Sequence, residues 1–322
     1  MHDCMKRRLL YASSQAYQPA MLVQGRNVGW IEAPFVVRRE TALGNRQIDQ
    51  ALVGRTSEGV VVAFRGSLPP FFGSGDGWDV VLDWLNDAFS LCIEDSHYGG
   101  GVHFGFAESM RRLWSDAGSG PGVRTAIQAM LDQSLLDRKA RRHIFVTGHS
   151  KGGALANLAA MRAVGTREWS DVPVSVATIA AARAGNADFA ASYDRSRIAC
   201  LRYEMPGDVV PHLPLSPNTP GWARRIAKGV FPKLAAADYR PVGLLVTPPP
   251  APKGGRASDH RAWTGSRRPV KRLLDRRGTG LEVLAPAILT AHAICPGSGY
   301  DRLICEGEGA CDHGEGQARK RA

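Results

Sequence analysis

Short, uninterrupted apolar runs punctuate this chain, with longer amphipathic stretches between them. The first run is residues 60–64, Val-Val-Val-Ala-Phe. Strand length without polar alternation suits a strand buried on both faces. Further strands are predicted at residues 144–147, 174–180 and 198–203, mainly apolar though less uniformly so. Elsewhere the pattern predicts helices: residues 9–16, 80–90 with Leu82, Leu85 and Phe89 on one face, 105–114 and 123–136. An alanine-rich helix leaves from Gly153, and a shorter helix lies around residues 187–193. Residues 48–53 are assigned to a separate element before the sheet begins. This order predicts an α/β fold, a mostly parallel sheet covered by helices on both faces.

The other segments are irregular. Residues 68–79 carry Pro69, Pro70, Gly73, Gly75 and Gly77 among Phe71, Phe72 and Trp78. A loop so apolar must cover something or be covered. Residues 248–255 form a Pro/Gly loop, 258–277 are strongly basic, and glycine and charge dominate from Cys305 onward. The expectation is one domain over residues 1–304 with a disordered tail at 305–322.

Composition narrows this picture modestly. A chain of 322 residues, 44% hydrophobic and 22% charged, can bury one large α/β core. No apolar run reaches membrane-span length. Lys6-Arg7-Arg8 precede only a short apolar stretch, too little for a secretory core, so the expected location is cytoplasmic, or exported without such a signal. The net charge of +11 would attract anionic lipid or nucleic acid. No nucleic-acid motif accompanies it, so a solvated basic face with an optional membrane role is the reading, and no nucleic-acid partner is expected. The cysteines at 4, 92, 200, 295, 305 and 311 fit neither a zinc pattern nor, without a signal, a disulfide framework. Cys295, Cys305 and Cys311 with His313 lack a paired half-site, so no metal is expected.

Chemistry concentrates at Gly148-His149-Ser150-Lys151-Gly152, between an apolar strand and a helix. In that context G-x-S-x-G marks a nucleophile elbow. The turn forces the serine into unusual backbone geometry and lifts its hydroxyl above the sheet edge, while flanking glycines admit the close approach of strand and helix. The Lys151 amide, at a helix N-terminus, is one oxyanion donor. Its side chain is expected to be solvated or lipid-facing. Ser67, just after the 60–64 strand, is placed to be the second donor. A serine nucleophile needs a histidine base and an acid to orient it. Asp208, presented by Pro206-Gly207 beyond the 198–203 strand, is the candidate acid, with Glu204 as its rival. His212 lies too near Asp208 in sequence and His313 lies in the tail, leaving His260 and His292.

Together these segments resemble the class 3 lipases, the fungal-type triacylglycerol lipase family. The resemblance rests on Ala63-Phe64-Arg65-Gly66-Ser67, Asp83-Trp84-Leu85-Asn86-Asp87, Val102-His103-Phe104-Gly105-Phe106, the elbow through Ala156, Arg183-Ala184-Gly185-Asn186, and Asp208-Val209-Val210-Pro211-His212-Leu213-Pro214, all in family order. It implies an α/β-hydrolase-like twisted sheet, with a lid at about residues 68–81 over the serine. It implies a Ser150–Asp208–His292 triad with Ser67 and Lys151 at the oxyanion, because the family histidine follows a strand pair that residues 238–246 would supply, and His260 comes too soon after it. The implied activity is hydrolysis of lipid esters through an acyl-enzyme, with no cofactor and no metal. Phospholipase A1 action on anionic membranes is the close alternative, and a non-catalytic lipid-binding module that keeps the fold is the other.

Overall fold

Residues 60–64 do form a strand buried on both faces, and the fold is organised around it. The structure, a computed structural model, describes residues 1–18, 27–41, 44–67, 91–230, 238–248, 291–294 and 297–305. The first elements are α1 (Asp3–Gln15), β1 (Phe35–Thr41), β2 (Gly44–Thr56) and β3 (Gly59–Phe64). There follow β4 (Cys92–Asp95), β5 (Gly100–His103), α2 (Phe104–Trp114), α3 (Val123–Asp137), β6 (Ile144–His149), α4 (Lys151–Val164) and β7 (Val174–Ile179). The chain continues with β8 (Gly185–Asn186), α5 (Ala187–Arg195), β9 (Ala199–Tyr203), α6 (Gly221–Val230), β10 (Tyr239–Arg240), β11 (Leu244–Val246) and α7 (Gly299–Cys305).

The main sheet has the order β1-β2-β3-β6-β7-β9-β11. β1, β2 and β3 pair antiparallel; every pairing from β3 to β11 is parallel. Period-two alternation divides the strands between two cores. Val60, Val62 and Phe64 face a cluster with α2, α3 and α4, whereas Val61 and Ala63 face the other side with Leu9, Leu10, Tyr300 and Ile304 of α1 and α7. Helices thus cover both faces, as an α/β sheet of buried parallel strands requires.

Two features depart from expectation. Residues 48–53 belong to β2, inside the sheet. Their polar members hide the strand pattern because each finds a buried partner: Gln50 Nε2 donates to the Ala16 carbonyl at 2.6 Å and its Oε1 accepts from Arg38. A second sheet, β10-β8-β5-β4, also forms from antiparallel strands of two to four residues, too short and glycine-rich to stand out in sequence. Cys4 is disulfide-bonded, contrary to the expectation of no disulfide framework, while Cys92 and Cys200 carry free thiols. Cys305 closes α7 rather than opening a tail. The predicted helix at 80–90, the lid at 68–81, the basic stretch at 258–277, His260 and the tail beyond Cys305 lie outside the described residues. No helix among the described residues is long and apolar enough to cross a membrane.

Candidate active site

β6 runs into α4 with only Ser150 between them. Ser150 has φ 59° and ψ −128°, a conformation that costs a non-glycine residue about 1–3 kcal/mol and persists only where the surroundings enforce it. The surroundings do so here. A Cβ on Gly148 would collide with the Gly152 carbonyl, and one on Gly152 with the Phe64 carbonyl. Strand, turn and helix therefore close to a distance that only glycine permits. The Ser150 amide donates to Ile179 O of β7 at 3.0 Å, tying the turn to the next strand.

The turn after β3 lies against the same serine. A Cβ on Gly66 would strike the Tyr17 hydroxyl and would sit 3.1 Å from Ser150 Cβ. Ser67, next to it, is half-buried. Lys151 opens α4, so its amide belongs to the first turn, whose N–H groups have no intrahelical acceptor. The Gly66 turn that carries Ser67 and the start of α4 that carries Lys151 thus meet the serine from two elements.

Asp208 is fully buried, in a turn closed by its amide on Met205 O at 3.1 Å, with Gly207 at φ 92°. Its carboxylate has three donors. Val210 N–H reaches Oδ1 at 3.0 Å, and His292 Nδ1 and the Tyr300 hydroxyl reach Oδ2 at 2.9 and 2.7 Å. Three donors compensate the burial of an anion that would otherwise be prohibitive. Nδ1–H donating to Asp208 leaves His292 Nε2 as the lone-pair nitrogen. Among the described residues no hydrogen bond joins Ser150 Oγ to His292, a contact that commonly tightens only when substrate is bound. Glu204, the rival acid, is instead ion-paired with Arg202. His212 packs edge-on against Trp222, and burial lowers its pKa to about 4. Tyr300, whose hydroxyl meets Asp208, was given no role by the motif reading. Burial, then the Asp208 charge, pushes its hydroxyl well above its usual pKa, so it stays a donor.

The Lys151 side chain is buried, not solvated. Its ammonium meets Asp49 Oδ1 at 2.7 Å, and Arg112 reaches Asp49 Oδ2 at 2.7 Å. Burial opposes the Asp49 charge, yet the two cations hold its carboxyl below the usual range. Burial also lowers Lys151, with Asp49 opposing the shift. The elbow helix is thereby pinned to β2 and α2 by charge. Beside it, His103 and His149 are kept neutral. Burial, then the Lys151 charge, lowers His103 to about 4; burial, then neighbouring His292, lowers His149 well below the usual value.

The mostly parallel, helix-covered sheet with a strained serine between β6 and α4 is an α/β-hydrolase-like fold. Residues 61–217, just under half of the chain, match the family model described as Lipase (class 3). The resemblance to class 3 lipases is thus borne out over the segment from β3 to beyond the Asp208 loop. The chain is 28% identical over 172 residues to "Lipase ZK262.3" of Caenorhabditis elegans, a match covering 53% of this chain and 42% of that protein. It is 31% identical over 116 residues to "Phospholipase A1-Igamma2, chloroplastic" of Arabidopsis thaliana, covering 34% of this chain and 22% of that one. The matched region therefore spans less than half the length of either relative. Among solved structures, the Rhizomucor miehei triacylglyceride lipase aligns with a TM-score of 0.48 at 21% identity, over 66% of this chain and 75% of that one. A triacylglycerol lipase from Penicillium expansum aligns with a TM-score of 0.48 at 17% identity, over 74% and 77%.

Two stability predictions come from the buried charges. Asp49→Asn leaves Lys151 and Arg112 facing a neutral amide, and chemical denaturation should show a loss of about 3–5 kcal/mol. A loss of less than about 1 kcal/mol would mean that the pair does not hold the elbow. For the histidines the folded pKa lies below the unfolded value of about 6.5, so the unfolded chain takes up protons first as pH falls. Stability is therefore complete above that value and declines below it, by ~1.4 kcal/mol per pH unit for each of His103 and His149 until the folded pKa is reached. Melting curves between pH 8 and 4 should show a fall that begins near 6.5, roughly the unfolded histidine value, rather than near 4, where carboxylates begin to titrate.

Proposed function

We propose that this chain is a serine carboxylic ester hydrolase acting on lipid esters through an acyl-enzyme. The observation that carries the reading is the 2.9 Å contact of His292 Nδ1 with buried Asp208, in a chain whose Ser150 occupies a strained elbow. In this reading Ser150 Oγ attacks the ester carbonyl while His292 Nε2 takes its proton. Asp208 orients the ring and stabilises the imidazolium, and Tyr300 holds the carboxylate. The oxyanion of the tetrahedral intermediate is received by the Lys151 amide and Ser67. His292 then gives its proton to the leaving alcohol, and water repeats the sequence to release the acid and restore the serine.

The preferred lipid is a separate matter. Neutral glycerides suit the family match, and phospholipid suits both the name of the Arabidopsis relative and the basic excess. Of that excess, Arg112, Arg111 and Arg142 are engaged by Asp49, Glu108 and Asp171, which weakens the case for a wholly free basic surface. We infer neutral lipid ester as the first substrate class and anionic phospholipid as the second.

Fatty-acid release from triacylglycerol, phosphatidylglycerol, phosphatidylcholine and a short soluble ester, with Ser150→Ala in parallel, tests both points. Turnover should fall at least ~10³-fold in Ser150→Ala. Folded protein inactive on all four substrates would favour a lipid-binding role instead, and preference for phosphatidylglycerol over triacylglycerol would reverse the order of substrates.

A further inference from the structure

Tyr17, His149 and the backbone of His292 form a hydrogen-bonded chain that the roles assigned above leave unused. Tyr17 Oη lies 2.7 Å from His149 Nδ1, and His149 Nε2 lies 2.8 Å from the His292 carbonyl oxygen. A carbonyl only accepts, so His149 carries its proton on Nε2 and the Tyr17 hydroxyl donates to Nδ1. The direction is set: Tyr17 to His149 to His292 O. The two imidazole rings stand 4.4 Å apart, with His149 buried.

Each member is fixed by the fold. Tyr17 follows α1, which is held to β6 by Ser13 Oγ on Thr147 Oγ1 at 2.8 Å and to β2 by Gln50 on the Ala16 carbonyl. The Tyr17 hydroxyl also fills the space beside Gly66 that a Cβ would need. His149 is the last residue of β6, immediately before Ser150. The chain of bonds thus joins the turn of Ser67, the elbow of Ser150 and the short segment that carries His292.

We propose that Tyr17 and His149 are positioning residues for His292. Asp208 holds the ring of His292 through Nδ1, and His149 holds its backbone through the carbonyl, so the imidazole is restrained from both ends. The restraint aims Nε2 at the serine. The proposed mechanism gives neither residue a contact with the ester, so their loss acts on the chemical step and not on substrate binding. The proposal rests on His292 being the general base for Ser150.

The test is steady-state hydrolysis of a short soluble p-nitrophenyl ester by the full chain, comparing wild type with Tyr17→Phe, His149→Phe, His149→Gln and Ser150→Ala. His149→Phe should lower kcat roughly 10–100-fold with KM little changed, the penalty expected of a misplaced catalytic group. Tyr17→Phe, nearly isosteric, should give a smaller loss of about 3–10-fold in the same parameter. His149→Gln retains an N–H donor for the carbonyl and should recover most of the loss. Wild-type kcat in both Tyr17→Phe and His149→Phe, a loss confined to KM, or no recovery by His149→Gln would each overturn the tether while leaving Ser150-dependent turnover intact. Turnover that survives Ser150→Ala would instead overturn the esterase reading, and the tether with it.

Discussion

Everything at the centre of this molecule depends on how closely β3, β6 and the start of α4 approach one another. Ser150 is held at positive φ because the chain must reverse from strand to helix within one residue. That reversal is possible only because Gly148 and Gly152 lack side chains where carbonyls of Gly152 and Phe64 press in. The strain, about 1–3 kcal/mol, is small beside the burial of six consecutive residues in each of β3, β6 and β7, which supports the turn from below. The same close approach brings the Ser67 turn beside the serine and aims the helix N-terminus at it.

Around that point polar groups are buried only where they are matched. Asp208 receives Val210, His292 and Tyr300, and Asp49 receives Lys151 and Arg112. Buried charges paired in this way cost less than they would alone, and removal of one partner is penalised heavily. The consequence is a rigid frame. Ser150, Asp208 and His292 come from three distant parts of the sequence, and hydrogen bonds fix His292 on Asp208 and the Ser150 amide on Ile179 O.

Sequence pattern foresaw this architecture unevenly, for physical reasons. β3, β6 and β7 were legible because parallel strands buried on both faces leave largely apolar runs, while β9 is only partly buried. β2 was not, because Asp49 and Gln50 are buried with partners elsewhere in the chain, and local pattern cannot show a distant partner. The short strands β8 and β10 carry no periodicity to detect. At the site, Ser150 and Asp208 stand in motifs with local signatures. His292 has none, and its choice over His260 leaned on family resemblance; His292 Nδ1 lies 2.9 Å from Asp208 Oδ2, and His260 lies outside the described residues. Tyr17 carried no local signal and Tyr300, eight residues beyond His292, was given no role, since each hydroxyl meets its partner across about a hundred residues or more. Lys151 misled because lysines are seldom buried without a counter-charge, and its counter-charge sits on β2.

The most direct measurement of the central claim is the rate of covalent labelling by a fluorophosphonate, with the modified residue identified by peptide mass spectrometry. The account predicts a single adduct on Ser150, formed at least ~10³-fold more slowly in His292→Ala and at nearly the wild-type rate in His260→Ala. Labelling at another residue, or a Ser150 adduct whose rate is indifferent to His292→Ala, would contradict it.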